Sequence, residues 1–127
     1  IAMRRETRAM RDMAAADLAA MAATTRGRVG ELDAEVHRDR TLLQLYRTTV
    51  LPQAGATVGS ALTAYRVGGV DFMTLLDARM SENRYRQEIA RLEADLGRAI
   101  AELEMLVGQE LLDPNAARQP PTRGGDQ

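Results

Sequence analysis

The chain contains no cysteine, no tryptophan and no lysine, and only three tyrosines and one phenylalanine. Without cysteine there can be no disulfide, no thiolate metal site and no Cys nucleophile. A β-sandwich or β-barrel core draws on more aromatic and β-branched residues than this, so all-β folds are set aside. The shortage of aromatic stacking platforms, with a net charge of only −1, argues against nucleic-acid binding. No apolar run approaches the roughly 18–20 residues that span a bilayer as a helix, and no secretory signal is visible. The chain opens on Ile1 rather than an initiator Met, so it is expected to be a piece of something longer.

The residues that are present point to helices. Alanine supplies 21 of the 127 residues, and seventeen arginines stand against eighteen acids. Val29, Leu32, Val36, Leu43, Tyr46 and Val50 step by threes and fours, with Asp39 at the one seam position that is not apolar. That spacing is an a/d heptad stripe, which strands cannot produce. Upstream, Met10, Ala14, Leu18, Met21 and Thr25 are expected to continue it after a stutter. Gly27 and Gly30 fit a bend or a close helix contact there.

Pro52 removes one helical hydrogen bond, a strain of about 3 kcal/mol in a straight helix, and predicts a kink or a short break. The pattern resumes with Leu51, Gly55, Val58, Leu62 and Tyr65. The strong breaker is Val67-Gly68-Gly69-Val70, where glycine supplies the positive φ of a C-cap and Asp71 is a natural N-cap for the next helix. A second stripe runs through Leu75, Ala78, Tyr85, Ile89, Leu92, Leu96, Ala99, Leu103 and Leu106, with Glu82 its one charged member. So short a loop forces the two helices antiparallel. The expectation is an all-α fold: a long coiled-coil-like helical hairpin over 1–112. Arm one is 1–66, the tip 67–70 and arm two 71–112, with a disordered Pro/Gly tail over 113–127.

As helices the arms would measure roughly 100 Å and about 60 Å, so the first ~28 residues of arm one overhang unless that arm folds back. An overhang and an unclosed core both call for further helices, which makes the chain an assembly element.

Enzyme signatures are missing: no phosphate loop, dinucleotide fingerprint, nucleophile elbow or paired-His zinc motif. No enzymatic activity and no cofactor are expected. His37 reads as a solvated or capping histidine rather than a ligand. Met3, Met10 and Met13 share a helical face, with Met21 beyond them. Thioethers can hold soft metal ions, but the same spacing serves packing, which is the commoner use. Met73, Met80 and Met105 are scattered. Tyr65 lies just before the glycine pair, and Asp77 is a carboxylate beside the apolar pair Leu75-Leu76 without a capping role.

The runs Leu45-Tyr46-Arg47-Thr48-Thr49-Val50-Leu51-Pro52-Gln53-Ala54, Ala64-Tyr65-Arg66-Val67-Gly68, Asp71-Phe72-Met73-Thr74-Leu75-Leu76-Asp77-Ala78 and Leu103-Glu104-Met105-Leu106-Val107-Gly108 succeed one another in order. From about Leu42 to Gly108 this wording resembles the last helical hairpin of the TolC-like outer membrane efflux proteins, most of all the heavy-metal CusC- or CzcC-like branch. The resemblance implies a trimeric channel that exports metals or drugs, with a membrane β-barrel and a periplasmic α-barrel to which this hairpin would belong. It implies partners as well: further copies of the chain, a periplasmic adaptor, and an inner-membrane pump reached through the adaptor. Contact with the membrane would come only through segments absent here. By resemblance Tyr65 and Asp77 would stand at the periplasmic aperture, and Val67, Gly68, Gly69 and Val70 would form the adaptor-docking tip. The drug-efflux members carry an arginine shortly after the tip glycine, where Val70 stands in this chain. The alternatives are the helical hairpin of the adaptor itself, or a generic coiled-coil assembly module.

Overall fold

The computed structural model describes residues 1–112; the Pro/Gly tail expected over 113–127 lies outside the described residues. Apart from Ile1 and the turn over 67–71, the described residues are helical, and none is in a strand. Helix α1 spans Ala2–Leu45, a π-helical turn Tyr46–Val50, α2 Leu51–Arg66 and α3 Phe72–Leu112. The all-α helical architecture expected from the heptads is the one observed. Alanine, leucine, arginine and glutamate, the better helix formers, fill these segments, and proline enters them only at Pro52.

Two compact units divide the described residues, one made of Ile1–Asp33 with 101–112, the other of Ala34–Ile100. Within Ala34–Ile100 the arms run antiparallel: Tyr65 meets Phe72 at the tip, while Tyr46 meets Tyr85 further along. Burial follows the expected stripes except at Ala54 and Ala61. Val36, Asp39 and Leu43, then Ala54, Val58 and Ala61, are buried on arm one, with Leu92 and Ala99 on arm two. Several of these are small, so the helices gain from close approach more than from large area per residue.

Of the kink or short break expected at Pro52, the break does not occur: the helix runs on through a π-helical turn just before it. Val50 and Leu51 keep right-handed helical dihedrals, and Leu51 donates its N–H to the carbonyl of Tyr46, five residues back. A π turn takes one residue more than an α turn, and this widening before Pro52 accommodates the ring without ending the helix. Beyond the turn the seam differs from the expected one. Ala54, Val58 and Ala61 are buried, Leu51, Gly55 and Leu62 are half-buried, and Tyr65 is exposed.

In the other unit Leu32 is the most enclosed side chain, with 1% of its surface exposed. Arg28 places Nε and a terminal nitrogen on the two carboxylate oxygens of Glu102 at 2.9 and 3.0 Å, and Arg26 approaches Glu110 at 3.8 Å. Toward Ile1 the pairing ends, and every residue from Ile1 to Met21 is exposed. Of the expected continuation through Met10, Ala14, Leu18 and Met21, none is buried, and only Leu18 lies in step with the buried face. Ala22 and Thr25 are the half-buried residues, in step with Val29 and Leu32, because the three-and-four spacing continues without a stutter.

Candidate functional site: the hairpin tip

The turn is built by two hydrogen bonds. Gly68 donates its N–H to the Tyr65 carbonyl at 3.0 Å, and Gly69 donates to the Ala64 carbonyl at 2.8 Å. Together they form a Schellman motif that satisfies carbonyls a helix end would leave open. Gly68 holds φ at +73°, the only positive φ among the described residues, which is why this position takes glycine. Gly69 has no such need, although a Cβ there would lie 3.4 Å from the Ala64 carbonyl oxygen. Val67 projects from the turn with 79% of its surface exposed, whereas Val70 is half-buried.

Asp71 opens α3. Its Oδ1 accepts the backbone N–H of Thr74 at 3.0 Å and the Thr74 hydroxyl at 2.8 Å. An N-cap carboxylate answers the unpaired amides of the first turn. The Thr74 hydroxyl, and then its N–H, hold the Asp71 carboxyl below its ordinary range because both bond the charged form.

Tyr65 and Asp77 occupy different places. The Tyr65 ring packs edge-on to Phe72, with centroids 6.0 Å apart. Asp77 stands five residues past Phe72, about 7.5 Å along the axis. It borders an open groove of about 460 Å³ between α2 and α3. Gln53, Thr57, Thr74, Ser81 and Tyr85 give that groove amide and hydroxyl groups, while Ala54 and Ala61 floor it with methyls. The Asp77 carboxylate makes no hydrogen bond or ion pair among the described residues, and nothing joins it to Tyr65. The two residues therefore share one end of the hairpin, but within one chain they do not form a contact pair. The chemistry on offer is an uncompensated carboxylate in a hydroxyl-lined trough.

The other candidates lie apart from the tip. His37 is exposed, and its carbonyl accepts the Thr41 hydroxyl. Met3, Met10, Met13 and Met21 are between 67% and 81% exposed, so the packing role expected for them finds no partner among the described residues. No cluster of three or more His, Asp or Glu is placed to hold a metal ion among the described residues. Nor is any helix there long and apolar enough to cross a membrane.

Three features were not singled out by sequence reasoning. Phe72 is the ring partner of Tyr65, and an aromatic directly after an N-cap, opposite one just before a C-cap, was the available signal. Tyr85 both stacks near Tyr46, at 6.2 Å, and lines the Asp77 groove. The Arg28–Glu102 fork depends on which residues face across the arms, which spacing within one helix does not specify. Comparison with protein-family models, with curated proteins and with solved structures gave no match for this chain.

Proposed function

We propose that the chain is a wall segment of a TolC-like efflux duct, a non-enzymatic transport component in which copies of this hairpin stand side by side and the tip meets a periplasmic adaptor. The observation that carries this reading is one-sided burial. Within Ala34–Ile100 the buried residues form a single seam, and the groove beside Asp77 is left open. A hairpin with one seam is half of a helical layer, and lateral neighbours complete it. The order and spacing of the residues that resemble the efflux proteins from Leu42 to Gly108 agree with such a wall.

In this reading Val67, Gly68, Gly69 and Val70 present the docking tip. Gly68 lets the chain reverse tightly, and the exposed Val67 offers an apolar contact. Asp77 and Tyr65 line the entrance, where carboxylates repeated around a ring would favour cations and close on neighbouring chains. The exported substrate is a metal ion or a drug, and the compartment is the periplasmic side of an outer membrane. Opening is a splaying of the tip helices that separates the Tyr65 and Asp77 layer from neighbouring chains.

The test uses the intact outer-membrane protein in a planar bilayer. Asp77→Ala with Tyr65→Ala should raise the closed-state conductance, and a photo-crosslinker at Val67 should capture the adaptor. Unchanged conductance removes the gate assignment. Capture of a duct protein in place of an adaptor would put this hairpin on the adaptor side of the joint.

A further inference from the structure

The heptad of arm one can be traced backwards. Leu32 is buried, and Val29, Thr25 and Ala22 are half-buried, at steps of three, four and three. The same steps then reach Leu18, Ala15, Arg11, Arg8 and Arg4. All five are exposed, so the face that is covered further along is open here and turns from apolar to cationic. The side chains of Arg4, Arg8 and Arg11 have no hydrogen bond or ion pair among the described residues. With Arg5 they rim an open depression of about 560 Å³.

Arginines closer to the tip show how this chain uses such side chains. Arg26 meets Glu110, Arg28 grips Glu102, and within Ala34–Ile100 Arg47 pairs with Glu93. In each of these pairs the arginine belongs to arm one and the glutamate to arm two. The bias runs through the sequence: residues 1–66 hold ten arginines against seven acids, and residues 71–112 hold five against nine. The ion pairs with arm two, however, reach no further toward Ile1 than Arg26, and the three seam arginines lie beyond it.

We infer that residues 4–18 dock onto an acidic α-helix outside the two arms, one whose carboxylates recur at three- and four-residue spacing and meet Arg4, Arg8 and Arg11 as Glu102 meets Arg28. Charge argues against the same segment of a second copy, residues 113–127 and a lipid surface. A second copy of the same segment would set Arg8 against Arg11 when antiparallel, and each arginine against its twin when parallel. Residues 113–127 hold two aspartates and two arginines, with no acid excess to offer. A lipid surface suits the arginines but not their neighbours, because Glu6 and Asp17 fall within the stripe of Met3, Met10, Met13 and Met21 that would have to enter the apolar layer. The inference stands without the duct reading, since it uses only residues 1–33 and the polarity of the ion pairs.

The test uses the 127-residue chain and two synthetic helical peptides of about eighteen residues. Both carry Leu and Ala along one face; one has glutamates at the three flanking positions, and its twin has lysines there. Binding is monitored by fluorescence anisotropy at low and high salt. The glutamate peptide should bind at least about ten-fold more tightly at low salt, because three attractions replace three repulsions. High salt should shrink that preference. The Arg4→Glu, Arg8→Glu, Arg11→Glu triple variant should reverse it while keeping the helical circular dichroism of the parent. Equal binding of the two peptides, or a preference that survives in the triple variant, overturns the inference. Tight binding to phosphatidylglycerol vesicles with no preference between peptides overturns it in favour of a lipid surface. A dimer that forms equally well in the triple variant overturns it in favour of a second copy.

Discussion

Alanine placed at Gly68 and at Gly69, one at a time, should move stability in opposite directions. At Gly68 the backbone sits at φ +73°, where an L side chain costs about 1–2 kcal/mol. Against this, alanine removes freedom from the unfolded chain, a gain of about 0.4–1 kcal/mol. The net for Gly68→Ala is a loss of up to about 1.5 kcal/mol. At Gly69 φ is not positive, and the nearest atom to an added Cβ is the Ala64 carbonyl oxygen at 3.4 Å, an ordinary contact. Gly69→Ala should therefore keep most of the unfolded-state gain. The unfolded-state contribution is the same for both, so the difference between the variants isolates the backbone strain, about 1–2 kcal/mol. Urea unfolding of the 127-residue chain, monitored by its helical circular dichroism, should separate the two midpoints by about 0.5–1 M for a small helical protein. Coincident midpoints, or a lower midpoint for Gly69→Ala, would refute the claim that the turn rests on one left-handed residue.

Other outcomes rest on the capping and pairing geometry. Asp71 is held below its ordinary range in the folded chain, so its contribution is present above the unfolded value of about 3.9 and fades as pH falls through the lower folded value. Asp71→Asn should lower the melting temperature at neutral pH and flatten that acid limb, read by thermal scans from neutral pH down through the carboxylate range. Glu102 is likewise lowered, chiefly by its hydrogen bond from Arg28. Arg28→Lys loses the two-pronged geometry, and the Glu102 carboxyl should move back toward its ordinary value in a carbon-13 NMR titration. Leu32→Ala should cost about 2–3 kcal/mol in urea unfolding, the low end for a leucine with little exposed surface, because a helix pair can partly collapse around the gap. Met10→Ala, at a position 71% exposed, should change stability by less than about 0.5 kcal/mol.

Much of this fold could be read from residue order. The buried Val36, Leu43 and Val58 are stripe members, and the helix ends at Gly68 and Asp71 come from what glycine and aspartate do to backbone amides. Pro52 left a kink and a break both open, because local chemistry offers two answers to a missing donor. The chain could end the helix or widen a turn, and only the packing on either side selects the second. The methionines are a different case: an apolar side chain at helical spacing marks a face, but not whether the same chain covers it. The tip residues were legible as a turn and a cap, whereas the relation of Tyr65 to Asp77 was not. That relation depends on the rotation of α2 about its axis, which one extra residue upstream resets.

That extra residue belongs to the π turn at Tyr46–Val50, and its consequence is a matter of counting. Val36, Asp39 and Leu43 lead by threes and fours to Tyr46 and Val50, yet the next buried residues are Ala54, Val58 and Ala61. Subtract one from every number past Val50 and both halves fall on one unbroken heptad. Had the same sequence kept plain α-helix throughout, the later half would be turned by about 100°. Gln53, Thr57 and Ser60 would then occupy the seam in place of Ala54, Val58 and Ala61. The π turn thus acts as a phase setting: it decides whether the hairpin closes on methyl groups or on amides and hydroxyls. Shortening the chain by Thr48 would bring the methyl seam into line as an ordinary α-helix, with Gln53 and Thr57 still turned toward the Asp77 groove.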